Sequence, residues 1–258
     1  MSDNNFLKFS TVYRIFIFFL FILLLEGIYY FYYYLISQKL EFLNYRDQSG
    51  YNNFVWSENG LVEILQVIFL IAAQTFLIMF VKRNFLNLDK NLRIFMILYL
   101  IGIFYYLFEE VSWGQHIFGW QTPEIISNIN NQNETNIHNI SSLFNELPRN
   151  LLLIWCGLSF YIVKFWQKKY FNFSRIIYPS KNLKFVSILI IFFFIPNLLV
   201  DKFNLAPGHP AENSTDILLN IFFEIITFNF VRLSELQELL FNLYLVSHAY
   251  YLFMNFKK

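Results

Sequence analysis

The chain has 258 residues, 57% of them hydrophobic and 22% aromatic, with only 14% charged, a net charge of +1 and a positive mean hydropathy. Soluble domains carry roughly a quarter charged residues, so this composition points to a lipid bilayer and excludes disordered and collagen-like chains. One cysteine, Cys156, excludes an internal disulfide and a cysteine-built zinc cluster, and the near-neutral charge gives no electrostatic case for nucleic acid as a partner.

A helix needs about 20 mostly apolar residues to cross roughly 30 Å of hydrocarbon. Taken in chain order, such runs predict spans near 12–36, 61–81, 92–110, 148–166, 183–200 and 233–253. The first is read as a span rather than a cleaved signal, because it is long, holds Glu26 and lacks a small-residue cleavage site after it. Residues 111–147 form a long polar loop. Pro196 and Asn197 in the fifth run read as a break, and Pro207-Gly208-His209-Pro210 beyond it as a rigid turn. Within 217–231, Asn220, Glu224 and Thr227 recur at i, i+4 and i+7, a narrow polar stripe on an apolar helix too short to span; it is read as re-entrant or interfacial. The expected fold class is therefore all-α, a polytopic transmembrane helical bundle of about six spans, with residues 1–258 as a single integral membrane domain.

Basic residues orient this scheme. In a six-span arrangement 14 of the 19 lysines and arginines fall on one side: Lys82, Arg83, Lys90 and Arg93 after the second span, six between Lys164 and Lys184 after the fourth, and four near the termini. The positive-inside rule makes that side cytoplasmic, with both termini inside and the acidic loops outside. Most of the carboxylates go the other way, among them Glu58, Glu63, Glu109, Glu110, Glu124, Glu134, Glu235 and Glu238, together with His116, His138 and His209. Acidic residues contribute little to topology rules, so their segregation asks for another reason.

Two segments hold the densest chemistry. In the first, Glu109-Glu110-Val111-Ser112-Trp113-Gly114-Gln115-His116, a continuing helix would align Tyr105, Glu109, Ser112 and His116 on one face and turn Glu110 toward Tyr106 and Trp113. Carboxylates one and two turns from an imidazole suit metal ligation or a general acid and base pair. Headgroup-level charges flanked by interfacial tryptophans are the plainer reading, and Gly114 is a natural point for the helix to stop. In the second segment, Asn130 to Asn139, a helix puts Glu134 and His138 at the i and i+4 spacing of a two-ligand turn, whereas a strand would align Asn130, Gln132, Glu134, Asn136 and His138. The plainer reading is a hydrophilic loop. The catalytic candidates are thus Glu109, Glu110, Ser112, Glu134 and His138; the substrate-binding candidates are Trp113, Gln115, Asn136, Glu63 and Glu238; and the metal candidates are Glu110, His116, Glu134 and His138, for a divalent metal.

The E-E-x-S-W-G-Q segment at Glu109 to Gln115, followed by N-x-Q-x-E-x-N-x-H-N from Asn130 to Asn139, resembles a family of uncharacterised bacterial polytopic membrane proteins. The match covers about 30 residues. It implies a bacterial cytoplasmic (inner) membrane location and singles out Glu109, Glu110, Glu134 and His138; it implies no mechanism.

Elsewhere, Glu63, Gln66 and Gln74 lie within about 80° on the second span, and Glu235, Glu238 and Asn242 fall at i, i+3 and i+7 on the sixth. Glu26 and His248 lie deeper in their spans, where a charged group costs roughly 2.5 to 3.5 kcal/mol and faces the bundle interior. Three functions follow. One is a metal-assisted hydrolase or transferase on a lipid-linked substrate at the outer leaflet, against which stands the absence of H-E-x-x-H, G-x-S-x-G and Gly-rich phosphate motifs. Another is a cation, proton or small-solute transporter lined by Glu26, Gln66, Gln74, Asn220, Glu224, Asn242 and His248. The third is a structural or assembly subunit of a membrane complex.

Overall fold

The computed structural model describes residues 60–127, 140–166, 183–202 and 233–255, together with residues 14, 18, 21, 25, 135, 179 and 180. Among them every regular element is helical. The predicted span at 12–36, the re-entrant or interfacial helix at 217–231 and the Pro207 to Pro210 turn lie outside the described residues, apart from Arg14, Phe18, Phe21 and Leu25, which are helical and exposed.

Among the described residues five helical rods make a bundle. Helix α1 is Leu61–Asn84 and α2 is Lys90–Glu110. The third rod, α3, runs through Ser142–Leu152, a π-helical stretch Leu153–Leu158 and Ser159–Trp166. Helix α4 is Leu183–Lys202 and α5 is Leu233–Asn255. α1 starts after the extended Gly60, with Glu63 in its first turn and Lys82 and Arg83 in its last, each charge complementing the helix dipole. A 3-10 turn, Phe85–Asn87, leads to Asp89, whose carboxylate caps α2 by accepting from the Leu92 N–H at 2.9 Å.

Side-chain contacts give the directions of the rods. Gln66 meets Glu235 near the start of both α1 and α5, while Phe76 packs on Tyr250 and Phe253 and Arg83 sits 4.3 Å over the Phe253 ring near their ends, so these helices run parallel. α2 returns antiparallel to α1 through its short connection. Arg149 meets Gln237 and Ser159 meets Tyr244 further along, so α3 is parallel to α5. Lys184 over Phe160 and Ser187 against Cys156 make α4 antiparallel to α3.

α5 is the central rod. From Leu236 to Leu245 it is buried on every side, against α1, α4 and the π stretch of α3. α1 meets it along Val62, Gln66, Leu70, Ala73, Leu77 and Phe80, a spacing of threes and fours that keeps one seam on a partner helix. The other faces of the outer rods are also apolar: Ile64, Ile68, Ile71 and Ile78 on α1, Ile94, Ile97, Ile101 and Phe104 on α2, and Ile188, Phe192 and Ile195 on α4 are exposed. Two helices, Leu61–Asn87 and Lys90–Glu110, are long and apolar enough to cross a membrane, and Leu183–Ile195 is a shorter apolar helix.

Two backbone details differ from the sequence reading. α4 does not break at Pro196 but continues to Lys202. A proline removes one helical hydrogen bond, whereas ending a helix in apolar surroundings would orphan several carbonyls. α3 takes Pro148 inside its first segment and then widens into the π stretch. That register leaves the Cys156 carbonyl to accept from the Ser187 hydroxyl at 2.6 Å, and Gly157 lets α4 approach, since a Cβ there would lie 3.3 Å from Ile191.

Candidate functional site

Because α1, α3 and α5 share one direction and α2 the other, the start of α1, the end of α2 and the start of α5 meet at one end of the bundle. Lys82, Arg83, Lys90 and Arg93 gather at the opposite end.

At the acidic end α2 stops at Glu110, and the chain turns through three successive left-handed residues, Ser112 (φ 45°), Trp113 (φ 55°) and Gly114 (φ 97°). Non-glycine residues pay roughly 1–2 kcal/mol each for that conformation, and such strain concentrates at functional sites. The turn therefore overrides the single helical face drawn through Tyr105, Glu109, Ser112 and His116. Its bracing is specific. The Gly114 N–H donates to the Val111 carbonyl at 2.8 Å, and the Trp113 indole donates to Glu109 Oε1 at 2.6 Å while its ring packs on Phe108 and Tyr105. Gly114 lies under the stacked rings of Phe118 and Trp120, and a Cβ there would come within 2.9 Å of Trp120.

Thr135 ties the second polar segment to this turn. Its hydroxyl donates to the Ser112 carbonyl, and its N–H donates to Gln115 Oε1 at 2.8 Å; the Gln115 amide in turn donates to Thr122 at 3.0 Å. Thr135, the residue beside Glu134 in sequence, is thus the described point of contact between the second motif and the first. Glu134, Asn136 and His138 themselves lie outside the described residues, as does the side chain of His116, whose backbone belongs to the one-turn helix Gln115–Phe118.

The paired glutamates have different surroundings. Glu109 is buried and held by Trp113. Glu110 is half-buried and lies within electrostatic reach of Glu238, Glu235, Glu63 and Glu109. Gln66, fully buried, donates to the Glu235 backbone carbonyl at 3.0 Å and to its carboxylate at 3.4 Å. Tyr106, one turn before Glu110, is within reach of Glu110, Glu238, Glu235 and Cys156. Among the described residues no three carboxylates, imidazoles or thiols come close enough to hold a metal ion, so a metal at this end would need ligands from outside the described residues.

Of the candidates read from sequence, Ser112, Trp113 and Gln115 build the brace, and Glu110, Glu63 and Glu238 share the acidic end. Gln66, Tyr106, Glu235 and Thr135 join them. Thr135 could not be found from its own chemistry, since a single hydroxyl in a polar loop carries no periodic or motif signal; Gln66 carried a signal, three residues from Glu63 on the same face.

Deeper in the bundle, His248 is fully buried, with Nδ1 3.3 Å from the Tyr99 hydroxyl and its ring near those of Trp155 and Tyr244. Tyr244 and Ser159 share a hydrogen bond of 2.7 Å. Comparison with protein-family models, with curated proteins and with solved structures finds no match to this chain.

Proposed function

We propose that the chain is an integral membrane protein of six spans, with its basic end and both termini cytoplasmic, and that it works as a hydrolase or transferase on a lipid-linked substrate at the outer, acidic end. The membrane reading is supported by the outward apolar faces. A soluble core helix is mostly buried, but only 28% and 17% of the apolar stretches of the two helices long enough to span are buried here, which leaves aliphatic rows for lipid to cover. The resemblance to bacterial polytopic proteins makes a bacterial cytoplasmic membrane the proposed location.

One observation supports the site: Thr135, the sequence neighbour of Glu134, is hydrogen-bonded to the strained turn directly after Glu110. In this reading Glu109 and Trp113 hold the turn, Glu110 faces the reaction, and Glu134 and His138 complete an acid and base set or, with Glu110, ligate a divalent metal. The apolar rods accommodate acyl chains.

The test has two arms. Ile101→Lys should impair membrane insertion, by roughly 2.5 to 3.5 kcal/mol if Ile101 lies at mid-bilayer; normal recovery as a soluble protein would overturn the membrane assignment. Protein reconstituted with a membrane lipid extract and a divalent metal should convert lipid species seen by mass spectrometry, and Glu110→Gln should abolish the conversion. Unchanged lipid profiles, together with no stoichiometric metal in protein handled without chelator, would sink the enzymatic reading.

A further inference from the structure

A base stands among the acids at this end of the bundle. Arg149, in the first segment of α3, meets Gln237 near the start of α5: its Nε and Nη2 groups donate to Gln237 Oε1 at 3.2 and 2.8 Å. Gln237 is fully buried, and its Nε2 amide has no acceptor. Covalent geometry makes these groups neighbours, because Nε2 and Oε1 share one carbon and Oε1 is bonded to the guanidinium. Arg149 is half-buried and, among the described residues, gives its N–H groups to this neutral side chain and to no carboxylate. A guanidinium carries five N–H donors in a rigid fork. With two spent on Oε1, the rest of the fork and the Gln237 amide stand side by side as donors.

The acids lie elsewhere around α5. Glu235 faces α1 through Gln66, whereas Gln237, two residues on, is about 200° further round the axis and faces α3. Glu238 falls about 60° from Glu235 and about 100° from Gln237, within reach of Glu110 and Tyr106. A buried donor without an acceptor calls for an occupant, and donors beside a formal positive charge select an anion. Glu146, three residues before Arg149 on the same helix, is exposed and does not take up the guanidinium. Phosphate presents several strongly accepting oxygens on one centre and matches the guanidinium fork, and it is the common anion of a bilayer's headgroup layer.

We propose that Arg149 and Gln237 bind a phosphate group at the junction of α3 and α5. The outer edge of the guanidinium and the Gln237 Nε2 amide donate to its oxygens, while Gln237 Oε1 holds the guanidinium in place. On the lipid-linked reading above, on which the carrier of the phosphate rests, the group belongs to a lipid headgroup and is held across α5 from Glu235.

The thermal midpoint of the full-length protein in neutral detergent tests the site, since a ligand of the folded state raises it saturably. Dioctanoyl phosphatidic acid should raise the midpoint by several degrees over dioctanoylglycerol, which has the same chains and no phosphate. Inorganic phosphate, against chloride at equal ionic strength, distinguishes the carriers: an increment from the lipid alone assigns the site to a headgroup, an equal one from the free ion assigns it to phosphate in solution, and either upholds the phosphate group. Arg149→Gln should need at least tenfold more ligand for half the increment. Gln237→Glu keeps an acceptor for Arg149 but replaces the amide donors with a carboxylate oxygen, so it should fold as well as wild type and lose the increment, which a purely structural clamp would not require. Asn150→Glu, which adds the same charge at an exposed neighbouring position, should keep it. No increment from either ligand, one that survives in Gln237→Glu, or one lost equally in Asn150→Glu would overturn the site. Lipid conversion without a phosphate increment would strike this site alone; an increment lost in Gln237→Glu, with no lipid conversion by wild type, would leave the site standing and count against the enzymatic reading.

Discussion

At the basic end of the bundle, polar groups find partners within a turn or two of chain. Asp89 caps α2, the Arg93 guanidinium donates to the Leu88 carbonyl at 2.8 Å, and Asn84 and Asn255 donate to carbonyls four residues back. At the acidic end the same chain accepts two left-handed non-glycine residues, several like charges and buried polar atoms without partners. Local rules agree with the fold at one end and conflict with it at the other. Natural chains tolerate such conflict chiefly where function requires it, and the proposed site lies at the end where the conflict is found.

Mutations should separate the two ends, and four are taken here from the largest effect to the smallest. Gly114→Ala forces a Cβ into a left-handed position beneath Trp120 and should cost about 2–3 kcal/mol in thermal or denaturant unfolding; a loss under about 0.5 kcal/mol would mean the turn is not strained. Trp113→Phe keeps the ring but removes the donor to buried Glu109, and a loss of about 2 kcal/mol is expected, in the range of hydrogen bonds to charged groups. At the satisfied end, Asp89→Ala should cost about 1 kcal/mol, the value of an ordinary helix cap, and should leave function at the acidic end untouched. Asn242→Leu should have the smallest effect and the opposite sign, stabilising by up to about 1 kcal/mol, because it removes a buried amide that has no partner. A large destabilisation there would show that Asn242 already has a structural partner and would erase much of the contrast.

The lesson about sequence and structure comes from particular residues. Lys82, Arg83, Lys90 and Arg93 against Glu63, Glu109, Glu110, Glu235 and Glu238 could be sorted by counting along apolar runs, because a span of fixed length converts position in the chain into position along the bundle. Helical character was legible for the same reason. The path after Glu110 was not: a 3.6-residue period describes a helix that continues, and only packing of Gly114 under Phe118 and Trp120, with Thr135 arriving from twenty residues away, makes the reversed turn the cheaper outcome. Nor could periodicity foresee that α4 would run through Pro196, since that depends on what an orphaned carbonyl would face.

The low net charge with which the chain presents itself thus has a definite internal order. Composition and spacing by themselves determined an all-helical, lipid-compatible chain with its bases and acids at opposite ends of apolar runs, because hydrophobic length and charge placement are properties of short stretches. Tertiary structure alone decided which acids are neighbours: Gln66 meets Glu235, and Glu110 stands within electrostatic reach of Glu235 and Glu238. Those relations join residues more than a hundred positions apart, and only the meeting of α1, α2 and α5 at one end of the bundle brings them together.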